Sequence, residues 1–250
     1  MTRMPHLDEM HWDFADRLQR VVKQTGGNQQ SYYVYDSSGQ RVRKVYEHGQ
    51  VDERIYLGGV EIYRKRASAV SDPVDIERVT LHVNDDTRRV AMVETKTFDL
   101  NNEEPGSPLS QGRWRYQLDN HLGSSAMEID GTAAANVISY EEYHPYGSTA
   151  FHLWSSSAEV SAKRYRYTGK EKDEESGLYY HGARYYAPWL GRWTAADPAG
   201  LVDGLNLYRY SRDNPINFSD PSGTESQVDD TRTIARGGVH RKGISRLRSR

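Results

Sequence analysis

The chain has 250 residues, no cysteine and a formal net charge of −2. The missing cysteine excludes a disulfide scaffold, a zinc–cysteine site and a cysteine nucleophile, and the near-neutral charge argues against a dedicated nucleic-acid binder. No apolar run approaches the ~18 residues of a membrane span, and Met1-Thr2-Arg3-Met4-Pro5-His6 lacks the apolar stretch of an ordinary secretory signal. Leu, Ile, Val and Phe total only 45 residues, but 18 Tyr and 5 Trp can supply the rest of a core. The composition predicts a folded protein whose interior is built with tyrosine.

In chain order, residues 7–22 come first and read two ways. Leu7, Met10, Phe14, Leu18, Val21 and Val22 fit helical spacing. Trp12-Asp13 followed by Leu18 and Val21, however, echoes Tyr35-Asp36 followed by Val42 and Val45, which favours repeated hairpins. Strand-like runs follow at 31–35 and 54–57, punctuated by Ser37-Ser38-Gly39 and Gly58-Gly59. Residues 67–75 read as a loop. Val79, Leu81 and Val83 alternate with polar residues, and 88–96 returns across Asp85-Asp86 as the partner strand. Residues 101–111 hold two Pro, Gly and polar side chains and read as a loop. A three-strand meander is predicted at 113–118, 124–129 and 137–143. Tyrosine-rich strand-like runs recur at 163–167, 178–180 and 184–186. From 224 onward, seven Lys/Arg stand against three Asp/Glu with no aromatic residue, which predicts a flexible, basic tail. The fold class is therefore mainly β, made of short antiparallel strands and hairpins.

The common catalytic motifs are absent. There is no Gly-x-Ser-x-Gly elbow and no dinucleotide fingerprint, and Gly169-Lys170 lacks the upstream Gly of a phosphate loop. The nine His have no i, i+4 pair, so neither a metal nor a cofactor is expected. His121, His144 and His181 read as turn or surface residues. One tetrapeptide, Asp-Pro-x-Gly, occurs twice, at Asp197-Pro198-Ala199-Gly200 and Asp220-Pro221-Ser222-Gly223. Asp at i, Pro at i+1 and Gly at i+3 suit a type I turn, and two ordinary turns are the plain reading of that spacing. The alternative is that the turns face each other. Two close carboxylates cannot both ionise, so one keeps a proton and polarises a carbonyl while the other activates water.

Gly177-Leu178-Tyr179-Tyr180-His181-Gly182-Ala183-Arg184-Tyr185-Tyr186, then Gly191-Arg192-Trp193 through Asp197-Pro198, then Asn206-Leu207-Tyr208-Arg209-Tyr210 and Asn214-Pro215 resemble the core-associated domain of Rhs/YD-repeat proteins. Tyr35-Asp36-x-x-Gly39 resembles a YD repeat, and 119–124 with Tyr143-His144-Pro145-Tyr146-Gly147 resembles the segment leading into that core. Residues 187–192 and 199–206 are most similar to the C subunit (TccC-like) of bacterial insecticidal toxin complexes. The resemblance implies YD-repeat hairpins at 1–111, a repeat-to-core meander at 112–162 and a self-cleaving core at 163–223, with 224–250 left as the vestige of a variable C-terminus. In such proteins the repeats wind as a β-sheet spiral into a shell, the core plugs it, and the chain is cut just after the core to release a C-terminal effector. Carried over, this makes Asp197 and Asp220 the aspartic pair and Arg184 its support. The cut falls in the region of Gly223, Thr224 and Glu225, where Thr224 stands in place of the family's apolar residue. The enzyme would be a single-turnover autoprotease. The implied partners are a B-subunit-like or other YD-repeat shell protein and the chain's own released tail. The implied location is the bacterial cytoplasm at synthesis, then the exterior by a route without a signal peptide. The length implies the C-terminal end of such a subunit, without its N-terminal repeats and effector. Two other readings stand beside this one: a non-catalytic β module whose open edges recruit a partner, and a carbohydrate-contacting repeat using exposed aromatics such as Trp154.

Overall fold

A computed structural model describes residues 1–24, 29–85, 88–104, 108–155 and 162–228. Twelve strands follow one another through a single antiparallel meander, each paired with its neighbours in sequence. They are β1 (Leu7–Trp12), β2 (Leu18–Lys23), β3 (Gln30–Tyr35), β4 (Arg41–Glu47), β5 (Val51–Leu57) and β6 (Val60–Arg66). The second half comprises β7 (Ile76–Asp85), β8 (Arg88–Asp99), β9 (Gly112–Asp119), β10 (Ser125–Asp130), β11 (Val137–Tyr143) and β12 (Thr149–Trp154). The sheet is open, with β1 and β12 as its edges. The helical alternative for 7–22 fails: Met10 pairs with Val21 across a hairpin. The predicted three-strand meander is part of the same continuous sheet and extends into β12.

The repeat seen in the sequence is a repeat of turn chemistry. At Asp13, Asp36 and Asn120 the residue's N–H donates to the carbonyl four residues on, at 2.9, 2.9 and 2.8 Å. The side chain of each accepts from the amides two and four residues ahead, as Asp36 Oδ1 does from Ser38 (2.8 Å) and Gln40 (2.9 Å). The fourth position of the turn is left-handed in all three, at Asp16, Gly39 and Gly123. An Asx side chain that satisfies its own turn's amides fixes the loop length, and loop length fixes hairpin register. His144 keeps the backbone form of this turn, with Gly147 at the left-handed position. A Cβ on Gly147 would collide with the Tyr167 ring, which packs directly on that turn.

One face of the sheet is charged and carries the rest of the chain. Gln117, Glu128 and Ser139 lie opposite one another on β9, β10 and β11 and are buried, whereas Trp114, Tyr116 and Leu118, which alternate with the buried residues of β9, stay exposed on the other face. Against the charged face sits a compact piece formed by residues 162–228. It contains a four-stranded sheet, β13 (Glu171–Lys172), β14 (Tyr179–Tyr180), β15 (Tyr185–Ala187) and β16 (Arg192–Trp193), and a two-stranded one, β17 (Phe218–Ser219) with β18 (Gln227–Val228). Two apolar clusters hold it. Leu178, Tyr185 and Ala187 join Leu7, Met10, Leu18, Val21 and Tyr33 of the first hairpins. Tyr167, Tyr179, Tyr186, Trp193 and Tyr210 form a second cluster that is almost wholly aromatic, the tyrosine-built interior that the composition predicts.

Buried ion pairs complete the seam. Arg41 of β4 donates to Asp173 at 2.9 Å and to Glu171 at 2.5 Å, Lys44 reaches Asp173 at 2.7 Å, and Arg164 reaches Glu61 of β6 at 2.6 Å. The expected strand at 163–167 does not form. Lys163, Arg164 and Arg166 turn their cations onto Glu141 and Glu61 of the large sheet, leaving only a single bridge from Tyr165 to Glu171. These interactions define the fit of the two layers more than their strength, because desolvation offsets much of a buried pair's attraction. The start of the expected tail is anchored: Ser226 donates through N and Oγ to Asp203 at 2.8 and 2.6 Å, and Gln227 and Val228 pair with β17. The remainder of the expected tail, 229–250, lies outside the described residues.

Candidate functional site

The two Asp-Pro-x-Gly segments fold differently despite their shared sequence. At the first, Gly200 N–H donates to the Asp197 carbonyl at 3.1 Å and Asp197 Oδ1 accepts from Ala199 at 2.9 Å, the expected turn. At the second, the Asp220 carboxylate takes over the role of its own carbonyl. Oδ1 accepts from the amides of Gly223 (2.8 Å), Thr224 (3.1 Å) and Glu225 (3.3 Å). The freed Asp220 carbonyl accepts instead from His181 Nδ1 at 2.7 Å. Gly223 sits at φ +75° with its α-carbon pressed against the chain, so that a Cβ there would lie 3.0 Å from Arg184 N and 3.3 Å from His181 O. Glycine is the residue that both the angle and the space allow.

Arg184 brings the two segments together. Its Nη2 lies 2.8 Å from Asp197 Oδ2 and 3.2 Å from Asp220 Oδ2. Its Nε donates to the Gly223 carbonyl at 2.6 Å and its Nη1 to the Leu207 carbonyl at 3.1 Å. The guanidinium stacks on Trp193, 4.3 Å from the ring centre. All three charged residues are buried, Asp220 completely. Burial pushes the Asp220 carboxyl up from its ordinary value, against the pull of Arg184 and of the three amides. Burial also lowers the Arg184 guanidinium, against both carboxylates.

The predicted residues Asp197, Asp220, Arg184, Gly223, Thr224 and Glu225 therefore share one site. The bond between Gly223 and Thr224 is bracketed: its carbonyl oxygen rests on Arg184 and its nitrogen donates to Asp220. A guanidinium on the oxygen withdraws electrons from the carbonyl carbon, and the Asp220 carboxyl lies against the nitrogen.

His181 departs from the surface position expected of it. It is buried, and its ring meets Trp193 edge-on at 5.0 Å. Burial and the nearby Lys170 ammonium push its pKa down to about 3, so it is neutral at pH 7 and donates from Nδ1 to Asp220. His181 follows β14 directly, two residues after Tyr179, and that period of two is the signal that could have placed it inside. His121 and His144 do lie in exposed turns. Among the described residues no cluster of His, Cys, Asp or Glu is arranged to hold a metal.

Known proteins resemble this chain in sequence and in architecture. The chain is 38% identical over 224 residues to toxin subunit YenC1 of Yersinia entomophaga, covering 86% of this chain and 22% of the relative. It is 40% identical over 197 residues to YenC2 of the same organism, covering 76% and 19%. The chain is TccC-like, of the Rhs/YD-repeat toxin-subunit kind. The crystal structure of TcdB2-TccC3 superposes with a TM-score of 0.76 at 35% identity, over 89% of this chain and 10% of that one. The TccC-like chain thus spans about a fifth of the length of YenC1 and YenC2. No family model matches it. The open twelve-strand sheet with a small tyrosine-rich piece on its charged face is the β architecture shared with these toxin neighbours. Among the described residues no helix is long and apolar enough to cross a membrane.

Proposed function

We propose that this chain is the shell-and-plug part of a toxin-complex C subunit, and that its core hydrolyses the bond after Gly223 once, releasing the segment that begins at Thr224. Residues 1–111 and 112–162 would supply shell wall and 163–223 the plug. The observation that carries the reading is the bracketed Gly223–Thr224 bond between Arg184 Nε at 2.6 Å and Asp220 Oδ1 at 3.1 Å, with Asp197 on the same guanidinium. Asp197 takes a proton from water, whose oxygen adds to the Gly223 carbonyl carbon. Arg184 holds the developing oxyanion. The C–N bond breaks as the proton taken from water is passed through Asp220, whose proton affinity burial raises, to the Thr224 nitrogen. The products are a C-terminal Gly223 carboxylate and a free Thr224 amine. The similarity to TcdB2-TccC3 supports a B-subunit-like partner that completes the shell, and export as part of such a complex.

The test is the intact mass of freshly made protein, alone and assembled with a B-subunit shell, beside Asp197→Asn and Asp220→Asn. Near neutral pH is needed because Asp-Pro bonds break unaided in acid. Loss of the 27 residues after Gly223 from the wild type alone supports the reading. A wild type that stays whole in both states sinks it. One observation favours a second reading, a non-catalytic assembly module: Asp220 Oδ1 already serves three backbone amides, as a purely structural turn residue would. A shell complex that assembles equally well with Asp197→Asn and never cuts would decide for it.

A further inference from the structure

Against the Asp220-Pro221 turn, two adjoining cavities of about 430 and 310 Å³ open between the large sheet and the core piece. Arg89, Gly169, Lys170 and Pro221 line both. Among the described residues, Arg88, Arg89 and Lys170 line the larger one together with one carboxylate, Asp119. Nearby acids are already engaged. Glu61 holds Arg164 at 2.6 Å and His82 at 2.8 Å, and Glu171 holds Arg41 and Arg164 at 2.5 and 3.1 Å.

Two cations shared by the cavities, Arg89 and Lys170, are underused. Arg89 spends its Nε on the neutral acceptor His82 Nδ1 at 2.7 Å and lies 3.5 Å from the Tyr165 ring centre. Its Nη1 is buried with no hydrogen-bond partner among the described residues, and neither is there one for the buried Nε2 of His181 in the smaller cavity. Lys170 has no ion pair or side-chain hydrogen bond among the described residues, and burial together with the neighbouring Arg89 lowers its pKa. Glu61, Glu171 and Asp119 act on Arg89 and Asp220 acts on Lys170 through their charge, but among the described residues no carboxylate hydrogen-bonds to either cation. Burying a guanidinium nitrogen and an ammonium side by side in this way is costly, and an oxyanion between them would remove much of that cost.

We infer that this cationic cavity between Arg89 and Lys170 is a binding site for an oxyanion, phosphate or carboxylate in class. Two sources fit the chemistry. One is a free phosphate-class ligand. The other is the chain itself, because Gln227 and Val228 line the larger cavity and Asp229 and Asp230 come next in sequence.

Phosphate titration by calorimetry near pH 7, at ionic strength held constant with chloride, separates these outcomes. The full chain is compared with Lys170→Gln, Arg89→Gln and Asp229→Asn/Asp230→Asn. Saturable binding to the wild type, weakened about tenfold or more by Lys170→Gln, identifies a free oxyanion as occupant. Binding that appears only in the Asp229→Asn/Asp230→Asn chain, and is lost again when Lys170→Gln is added, identifies the chain's own carboxylates. No saturable binding in either background, or binding that Lys170→Gln and Arg89→Gln both leave unchanged, overturns the site. Lys170→Gln leaves the Arg89 guanidinium over Tyr165 in place, so a folding defect in Arg89→Gln does not blur the result.

Discussion

Replacing Arg184 by Met keeps an apolar stem over Trp193 and removes the charge that two buried carboxylates share. Asp197 loses a partner at 2.8 Å and Asp220 one at 3.2 Å, while the Gly223 and Leu207 carbonyls lose their donors at 2.6 and 3.1 Å. Leaving buried charge uncompensated in this way costs about 3–5 kcal/mol, a large share of a domain's roughly 5–15 kcal/mol. The deficit carries a pH signature. Asp220 is already raised by burial in the wild type, and without the guanidinium it rises further. A carboxyl whose folded pKa lies above its unfolded one binds more protons in the fold, so its penalty grows as pH rises through the folded pKa and fades as pH falls. Urea unfolding of Arg184→Met and wild type, followed by Trp fluorescence at about pH 7 and about pH 4.5, should show the difference between them shrinking in acid. Adding Asp197→Asn should recover part of the loss at neutral pH, which keeps the test usable if Arg184→Met alone unfolds. A neutral-pH loss under about 1 kcal/mol, or one that is the same at both pH values, refutes the account of Arg184 as the shared counter-charge.

Two other substitutions read neighbouring features. His181 is held neutral with a pKa of about 3, below its ordinary 6.5, so the unfolded chain takes up a proton that the fold refuses as pH falls through that window. Wild-type stability should therefore drop by up to about 1.4 kcal/mol per pH unit below pH ~6.5 through this group, and His181→Phe should flatten the urea-midpoint profile in acid; parallel profiles would count against it. Asp36→Ala removes the acceptor of Ser38 N–H at 2.8 Å and Gln40 N–H at 2.9 Å in the second hairpin, and is expected to cost about 1 kcal/mol while Asp36→Asn costs a fraction of that. Equal melting points for Asp36→Ala and wild type would remove the carboxylate from the account of hairpin register.

The sequence by itself determined the features that depend on a few neighbouring residues. Asp36 with Gly39 and Asn120 with Gly123 state their turns in four or five letters, because an Asx side chain bonds the next amides and Gly supplies the left-handed corner. The alternation of Val79, Leu81 and Val83 marked β7 for the same kind of reason, a period of two on a pleated surface. The helical spacing at 7–22 competes with the hairpin reading because hairpin strands broken by a short turn can mimic it; the echo of Trp12-Asp13 in Tyr35-Asp36 favours the hairpin, and the pairing of Met10 with Val21 shows it. Residues 163–167 misled: alternating Tyr and Arg has the letters of a strand, but buried cations seek carboxylates across a layer, and Glu61 and Glu141 lie more than a turn or a hairpin away in sequence.

The site divides along the same line. Two Asp-Pro-x-Gly tetrapeptides announce two turns, and identical letters cannot say that the second would spend its carboxylate on three amides and hand its carbonyl to His181. That choice is made by His181, 39 residues earlier in the chain, and the joining of the carboxylates by Arg184, 36 residues before Asp220. Between these positions the chain runs through an aromatic cluster whose packing, not any local preference, sets the distances. A turn is fixed by the bonds its own residues can make, whereas the meeting of two turns is fixed by everything the intervening chain must pack against, and only the tertiary structure contains that.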